Sequence, residues 1–384
     1  MKQICVFFVA AVAAVSCHAS AVSDGVNAEV LKSIVPAEGD SVVASPYSAV
    51  FMSGLFGDGM DNRELRIALS EKMGLRTTEF GPTFMRIRTK LEELGSTNRV
   101  EVLFANSLWM RNYARLEREF HPMAYRVYDV AFGPLVGVDP VNAWNSAKTD
   151  GLIAKVADEL DMKCDTVVVA AAGFNGAWAR MFPPARQGVF HAKGGDVQLP
   201  MMEDTRSVSM VKRPAYTAFS LPYRGNNLFL YALVPNDGKT PREILDAMTA
   251  DEFDILDRAL LPGYKPDDAR GDPLPDVEGA SVAVAKIVLP KFRVETSLDF
   301  MPALAKLGVP KTGFDTICKG LSIGMALQHN VFETSETGGE VGKVDLPEVK
   351  AEGETPRLAC DRPFAFIVRT DDHLTLLAGF FGGK

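Results

Sequence analysis

Hydrophobic positions recur along this chain at two spacings, one of three to four residues and one of two. Near the N-terminal end Val26, Val30, Leu31 and Ile34 share a helical face before Pro36. Ser45-Pro46 then offers a cap and a first helical residue, with Val50, Met52, Leu55 and Phe56 as the buried face. Residues 62–73 and 115–128 also read as helices, and residues 99–109 as a strand between them. Asp139-Pro140 opens a helix that should run to Leu160. Thr166–Ala172 is an unbroken valine-rich run, the pattern of a strand buried on both faces.

Strands dominate from residue 187 onward. Residues 189–202 predict a hairpin around Gly194-Gly195. Ala218–Pro222, Leu228–Val234 and Ser281–Pro290 read as strands, and 240–261 as a helix after Pro241. Helical spacing returns at 297–307 and 315–320. Phe364–Arg369 and Leu374–Phe381 form a closing pair around Thr370–Asp372. Helices early and strands late give an α+β architecture. Two stretches, 262–278 and 333–357, carry no apolar pattern, and loops of that length are usually functional or disordered.

The first residues follow another logic. Lys2 precedes an apolar run from Ile4 to Val15, then small residues from Ser16 to Ala21. About a dozen apolar residues are too few to span a bilayer. The segment predicts an export signal of residues 1–19, cleaved after Ala19 or Ala21, with one domain over 22–384. The alternative is a lipoprotein signal that acylates Cys17 and anchors the chain by lipid. Either places the protein outside the cytoplasm, secreted or periplasmic.

Charge removes some functions. The chain has 384 residues and a net charge of -8, with no basic stripe, which argues against nucleic acid as a partner. His121, His191, His329 and His373 form no H-x-x-x-H or H-E-x-x-H pattern, so no catalytic metal is expected. Cys164, Cys318 and Cys360 lie far apart and read as small buried hydrophobes. Gly320-Leu321-Ser322-Ile323-Gly324 matches the nucleophile-elbow pattern, but that motif needs a strand before it and a helix after it. A helical segment precedes it here and a strand-like one follows. Enzyme chemistry is therefore poorly supported, and no cofactor is implied.

A longer pattern remains. Ser45-Pro46 with Ser48, Asn106-Ser107-Leu108, Asn142 with Trp144, and Phe174-Asn175-Gly176-Ala177-Trp178 occur in that order. Pro200-Met201-Met202, Leu221-Pro222-Tyr223, Leu289-Pro290-Lys291-Phe292 and His329 with Phe332 follow. Asp361-Arg362-Pro363-Phe364, Phe366 and Gly379-Phe380-Phe381 close the series. In this order and spacing the chain resembles the serpin family, and with its leader a bacterial secreted member of it. The resemblance implies helices around a large mixed central sheet, smaller sheets, and an exposed reactive-centre loop near 338–357. It implies a monomer that traps a serine or cysteine protease as an acyl-enzyme after the loop is cut and inserted into the main sheet. Trp178 takes the family's breach position, and Ser45, Ser48 and His329 its shutter positions. Counting back from Pro363, the scissile bond falls near Glu352-Gly353, with Lys350 and Arg357 as alternatives if the register slips.

Two departures accompany the resemblance. Family inhibitors have a hinge that reads roughly Glu-Gly-Thr-Glu followed by several alanines, whereas this chain reads Glu336-Thr337-Gly338-Gly339-Glu340-Val341-Gly342-Lys343-Val344-Asp345-Leu346-Pro347. If Gly338 is the hinge glycine, the inward positions are Gly339, Val341, Lys343, Asp345 and Pro347. If Gly339 is, they are Glu340, Gly342, Val344, Leu346 and Glu348. One slip exchanges the whole set, and Pro347 lacks a ladder donor in both. The family's shutter asparagine falls on Ala170. These departures leave a non-inhibitory binding or sacrificial-substrate protein as the second reading.

Overall fold

The computed structural model describes residues 24–35, 41–75, 80–98, 100–261, 277–337 and 355–384. The elements in chain order begin α1 (Asp24–Ile34), β1 (Val42–Ala44), α2 (Pro46–Asp58), α3 (Arg63–Lys72), α4 (Phe80–Asn98), β2 (Val100–Met110), α5 (Phe120–Tyr128) and β3 (Val130–Pro134). The middle of the chain gives α6 (Val138–Lys148), β4 (Thr166–Gly176), β5 (Arg186–Ala192), β6 (Gly195–Lys212), β7 (Tyr216–Pro222), β8 (Leu228–Pro235), α7 (Pro241–Asp246) and α8 (Ala250–Leu260). Then come β9 (Ala280–Pro290), β10 (Arg293–Asp299), α9 (Met301–Leu307), β11 (Ile323–Glu333), β12 (Arg357–Ala359), β13 (Phe364–Thr370) and β14 (Thr375–Phe381).

Two sheets organise these elements. One has five strands in the order β10-β11-β4-β2-β3; the other has nine, running β1-β14-β13-β8-β7-β6-β9-β12 with β5 beside β6. The fold is α+β. Helix α2 is capped by Ser45, whose Oγ accepts the Ser48 N–H at 3.1 Å. It is buried on every side from Pro46 to Gly57 rather than along one face, because it threads the main core. Gly54 makes this approach possible, since a Cβ there would collide with the Phe84 ring of α4.

The five-stranded sheet is covered on both faces. Val168, Ala170, Ala172 and Phe174 of β4 join the main core. Val167, Val169 and Ala171 point the other way, into a second core with Ala105, Trp109, Val141, Ile153 and Val331. The roof of that second core is α6 and the segment after it. The helix expected to reach Leu160 stops at Lys148, where Asp150 and Gly151 take positive φ (48° and 78°). Asn142 stitches the following segment back: its Oδ1 accepts the Val156 N–H at 2.8 Å and its Nδ2 donates to the Ala157 carbonyl at 2.9 Å.

Other expectations shift as well. Residues 293–299 form edge strand β10, so the helix expected over 297–307 begins only at Met301. Residues 315–320 form turns rather than a helix. The helix expected over 240–261 is two, α7 and α8, with Thr249 capping the second through the Glu252 N–H.

Candidate functional site

Strand pairing defines the site. β11 and β4 lie side by side and parallel, from Ile323↔Thr166 to Phe332↔Phe174. β11 then runs out at Glu333, and among the described residues the chain next joins a sheet at Arg357, on the edge of the other sheet. The intervening loop therefore starts at the top of a parallel pair. A strand folding back from the end of β11 would run antiparallel to it, and hence antiparallel to β4 too. Wedged between them it would replace one parallel ladder by two antiparallel ones, the slightly more stable pairing per residue.

The loop's first end is latched where β4 finishes. The Trp178 N–H donates to the Thr337 carbonyl at 3.1 Å and its indole Nε1 to the Ser335 carbonyl at 2.8 Å. The Phe182 N–H donates to the Glu336 carbonyl at 2.9 Å. Trp178 stacks on Tyr223, ring centroids 4.5 Å apart and nearly parallel. The segment that grips the loop is itself clamped by Arg206 of β6. Arg206 donates to the carbonyls of Arg180 at 2.8 Å and Met181 at 3.1 Å, and lies 3.9 Å from the centroid of the Phe182 ring. Burial pushes its guanidinium down to about 10, against the pull of Asp204 beside it.

The Glu336 carboxylate completes the latch. It pairs with Lys291 at 3.1 Å and accepts the Ala185 N–H at 3.2 Å. Partial burial pushes this carboxyl up, but hydrogen bonds from backbone N–H groups and Lys291 outweigh it and hold the group below the usual range. A depressed carboxylate stabilises the fold above its unfolded pKa, and that contribution disappears as pH falls through the folded value. Acidification below about pH 4 should therefore loosen the latch. With Trp109 and Trp144 replaced by Phe to give the parent for this test, quenching of Trp178 fluorescence by a neutral solute should rise there. In Glu336→Gln it should already be high at neutral pH; parent-like quenching in that variant would show that the carboxylate does not hold the latch.

The second end of the loop is anchored separately. β12 pairs parallel with β9, Leu358 opposite Ile287. The Arg357 guanidinium meets the Asp361 carboxylate at 2.8 Å, and the Asp361 carbonyl accepts the His191 N–H at 2.7 Å. Arg357 is thus built into a strand, which disfavours it as the cleaved residue. Gly338, Gly339, Glu340, Val341, Gly342, Lys350, Glu352 and Gly353 lie outside the described residues, as does Cys17.

Beneath the parallel pair lies a small polar patch. Ser45 and Ser48 are both there, fully buried. His329 is not. Its Nδ1 meets Ser297 Oγ at 2.7 Å and its Nε2 meets Glu295 at 3.0 Å, both on β10. Burial pushes this imidazole down, against the pull of Glu295. Gln328, one residue earlier and so on the opposite face, stands by the serines. Its Oε1 accepts the Ser45 N–H and its Nε2 donates to the Ser45 carbonyl, both at 2.8 Å. Asn330 donates to Gln328 Oε1 at 2.9 Å and to the Val43 carbonyl at 3.2 Å. Ala170 of β4 lies between Gln328 and Asn106 in the strand register, so amides flank the position where the family has its own.

This patch makes a direct prediction. Gln328→Ala strands a buried N–H and carbonyl, and should cost about 2–5 kcal/mol in urea denaturation. His329→Ala should cost less, because its partners Glu295 and Ser297 are exposed. Equal losses would contradict the assignment. Sequence reasoning also missed Glu336, Lys291 and Arg206. Lys291 carried a signal inside the Leu289-Pro290-Lys291-Phe292 landmark and Glu336 as the first residue of the hinge stretch, but Arg206 carried none.

Ser322 follows a turn and leads into β11, the reverse of an elbow's surroundings. Among the described residues no group of three or more His, Cys, Asp or Glu is placed to hold a metal. No helix among them is long and apolar enough to cross a membrane.

The serpin family model (serine protease inhibitor) matches residues 25–382. The chain belongs to the serpin family. Plasminogen activator inhibitor 1 of Bos taurus is 28% identical over 389 residues, covering 94% of this chain and 90% of that protein. The native structure of Tengpin, a thermophilic serpin, superposes with a TM-score of 0.77 at 18% identity, covering 94% and 93% of the two chains. Human thyroxine-binding globulin superposes with a TM-score of 0.74 at 18% identity, covering 93% and 97%. The relatives are mostly eukaryotic, so the expectation of a bacterial member finds no support in them.

Proposed function

We propose that this serpin inhibits a serine endopeptidase, or a cysteine one, as a suicide substrate. The observation that carries the proposal is the parallel β11–β4 pair, with the loop latched at the end of β11 and anchored on the other sheet. A protease acylated at the loop would release the β12 end from the β11 end. The freed segment would then enter between β11 and β4 and drag the acyl-enzyme with it. An inserted strand as long as β4, 11 residues, spans roughly 37 Å. That displacement carries the protease from one end of the sheet toward the other.

We place the scissile bond at Glu352-Gly353, which suits a protease with a basic specificity pocket. Residues 1–19 act as an export signal, or Cys17 is acylated, and residues 22–384 act outside the cytoplasm as one monomeric domain. A panel of purified proteases tests the proposal. At least one should give a complex that survives SDS, with a mass equal to the protease plus the chain up to the cut, the fragment after the cut having been released. Clean cleavage by every enzyme, with no such complex, favours the second reading, a non-inhibitory serpin. The charges at Glu340, Lys343 and Asp345 and the ring of Pro347 are what favour that reading.

A further inference from the structure

A cavity of about 910 Å³ opens beside the loop's second anchor, among four segments that meet there. They are the turn from β8 to α7, the link from β12 to β13, the end of β14, and the β5–β6 hairpin. Its apolar part is Phe380, Pro235, Pro241 and Pro363. Lys193, Lys239, Arg242 and Arg362 supply four cations against one carboxylate, Asp237. In a chain of net charge -8 this is a local reversal of sign.

Half of that charge is free of ion pairs, Arg242 being held by Asp246 at 2.8 Å. Among the described residues Lys193 and Arg362 form no ion pair, and Lys239 has only Glu243 at 3.9 Å on the exposed turn. Arg362 is held in place by its bond to the Pro235 carbonyl at 3.1 Å. A second cavity, of about 1070 Å³ around Arg115, Arg118 and Lys319, differs in kind. Glu117, Glu119, Asp58 and Asp315 line it too and cancel its cations.

We propose that the cavity beside Arg362 binds an organic anion with an apolar body, an aromatic or short-acyl carboxylate, sulfonate or sulfate. The apolar part would lie against Phe380 and the prolines, as in most small-molecule pockets. The anionic head would face Arg362 and Lys193, with guanidinium geometry matched to an oxyanion. Nothing in this depends on protease inhibition.

Titration of the full chain with anilinonaphthalene sulfonate tests the site, read by fluorescence. One site per chain is expected, weakened by added salt, and displaced by decanoate but not by decanol. Arg362→Glu should weaken binding by about tenfold or more. Because that change also removes the bond to Pro235, Lys193→Glu is the second variant; it should weaken binding too, with an unchanged melting temperature. Undiminished binding in both variants, or displacement by decanol as readily as by decanoate, would overturn the proposal.

Discussion

Cutting the loop once, anywhere between Glu348 and Gly353, should raise the melting temperature of this protein by tens of degrees. The uncut chain cannot lay the full length of the segment after Thr337 between β11 and β4 while β12 still pairs with β9, because that segment is tied at both ends. Cleavage removes the second tie. A new strand then gains two ladders of backbone hydrogen bonds and two faces of buried side chains. On one side it meets Ala170, Ala172 and Phe174, on the other Val169, Ala171 and Val331. Burial on both faces is the arrangement that stabilises a central strand most. Differential scanning calorimetry before and after limited proteolysis measures the rise. An unchanged midpoint, with the chain shown by mass to be cut, would mean that the strand does not enter.

The second large effect concerns the charges near the hinge. A charge that enters the slot facing the main core loses its water and, outside the polar patch of Ser45, Gln328 and Asn330, meets only apolar side chains. Such burial costs several kcal/mol per ion. Slow entry gives the acyl-enzyme time to hydrolyse, so more inhibitor is cut per protease trapped. If Gly338 is the hinge glycine, Lys343→Ala with Asp345→Ala should speed entry by about tenfold or more, while Glu340→Ala changes little. If Gly339 is, Glu340→Ala should be the accelerating change. The stoichiometry of inhibition, measured with one trapped protease, separates the two registers. No acceleration from either would show that the charges do not limit entry.

The elements that could be read from the sequence are those whose pattern is fixed by burial alone. Thr166–Ala172 is an unbroken valine-rich run, and the closing pair is apolar over Phe364–Val368 and Leu376–Phe381, because both faces are covered. Ser45-Pro46 announced α2 because capping is local chemistry. β10 was hidden because it is an edge strand, with only Val294 and Leu298 buried in RVETSLD. The end of α6 was hidden because the apolar positions continue past it: Ile153, Val156 and Leu160 keep their helical spacing yet reach the second core from turns held by Asn142 and Asn145.

The polar patch failed for a sharper reason. Histidine is the conspicuous residue in LQHNVF, and Gln328 is not, but alternation lets only one of two neighbours face the serines. The same two-fold alternation leaves the hinge register open. Sequence gives the spacing of residues 338–347 but not the phase in which they meet β11.

The most direct measurement is the separation of β11 from β4 across one cleavage event. Spin labels at Asn175→Cys and Glu333→Cys, in a Cys164→Ser background, sit on the adjoining ends of the two strands. Electron–electron resonance should show their distance growing by about 5 Å, one strand spacing, when the loop is cut. An unchanged distance in a fully cut sample would contradict the account.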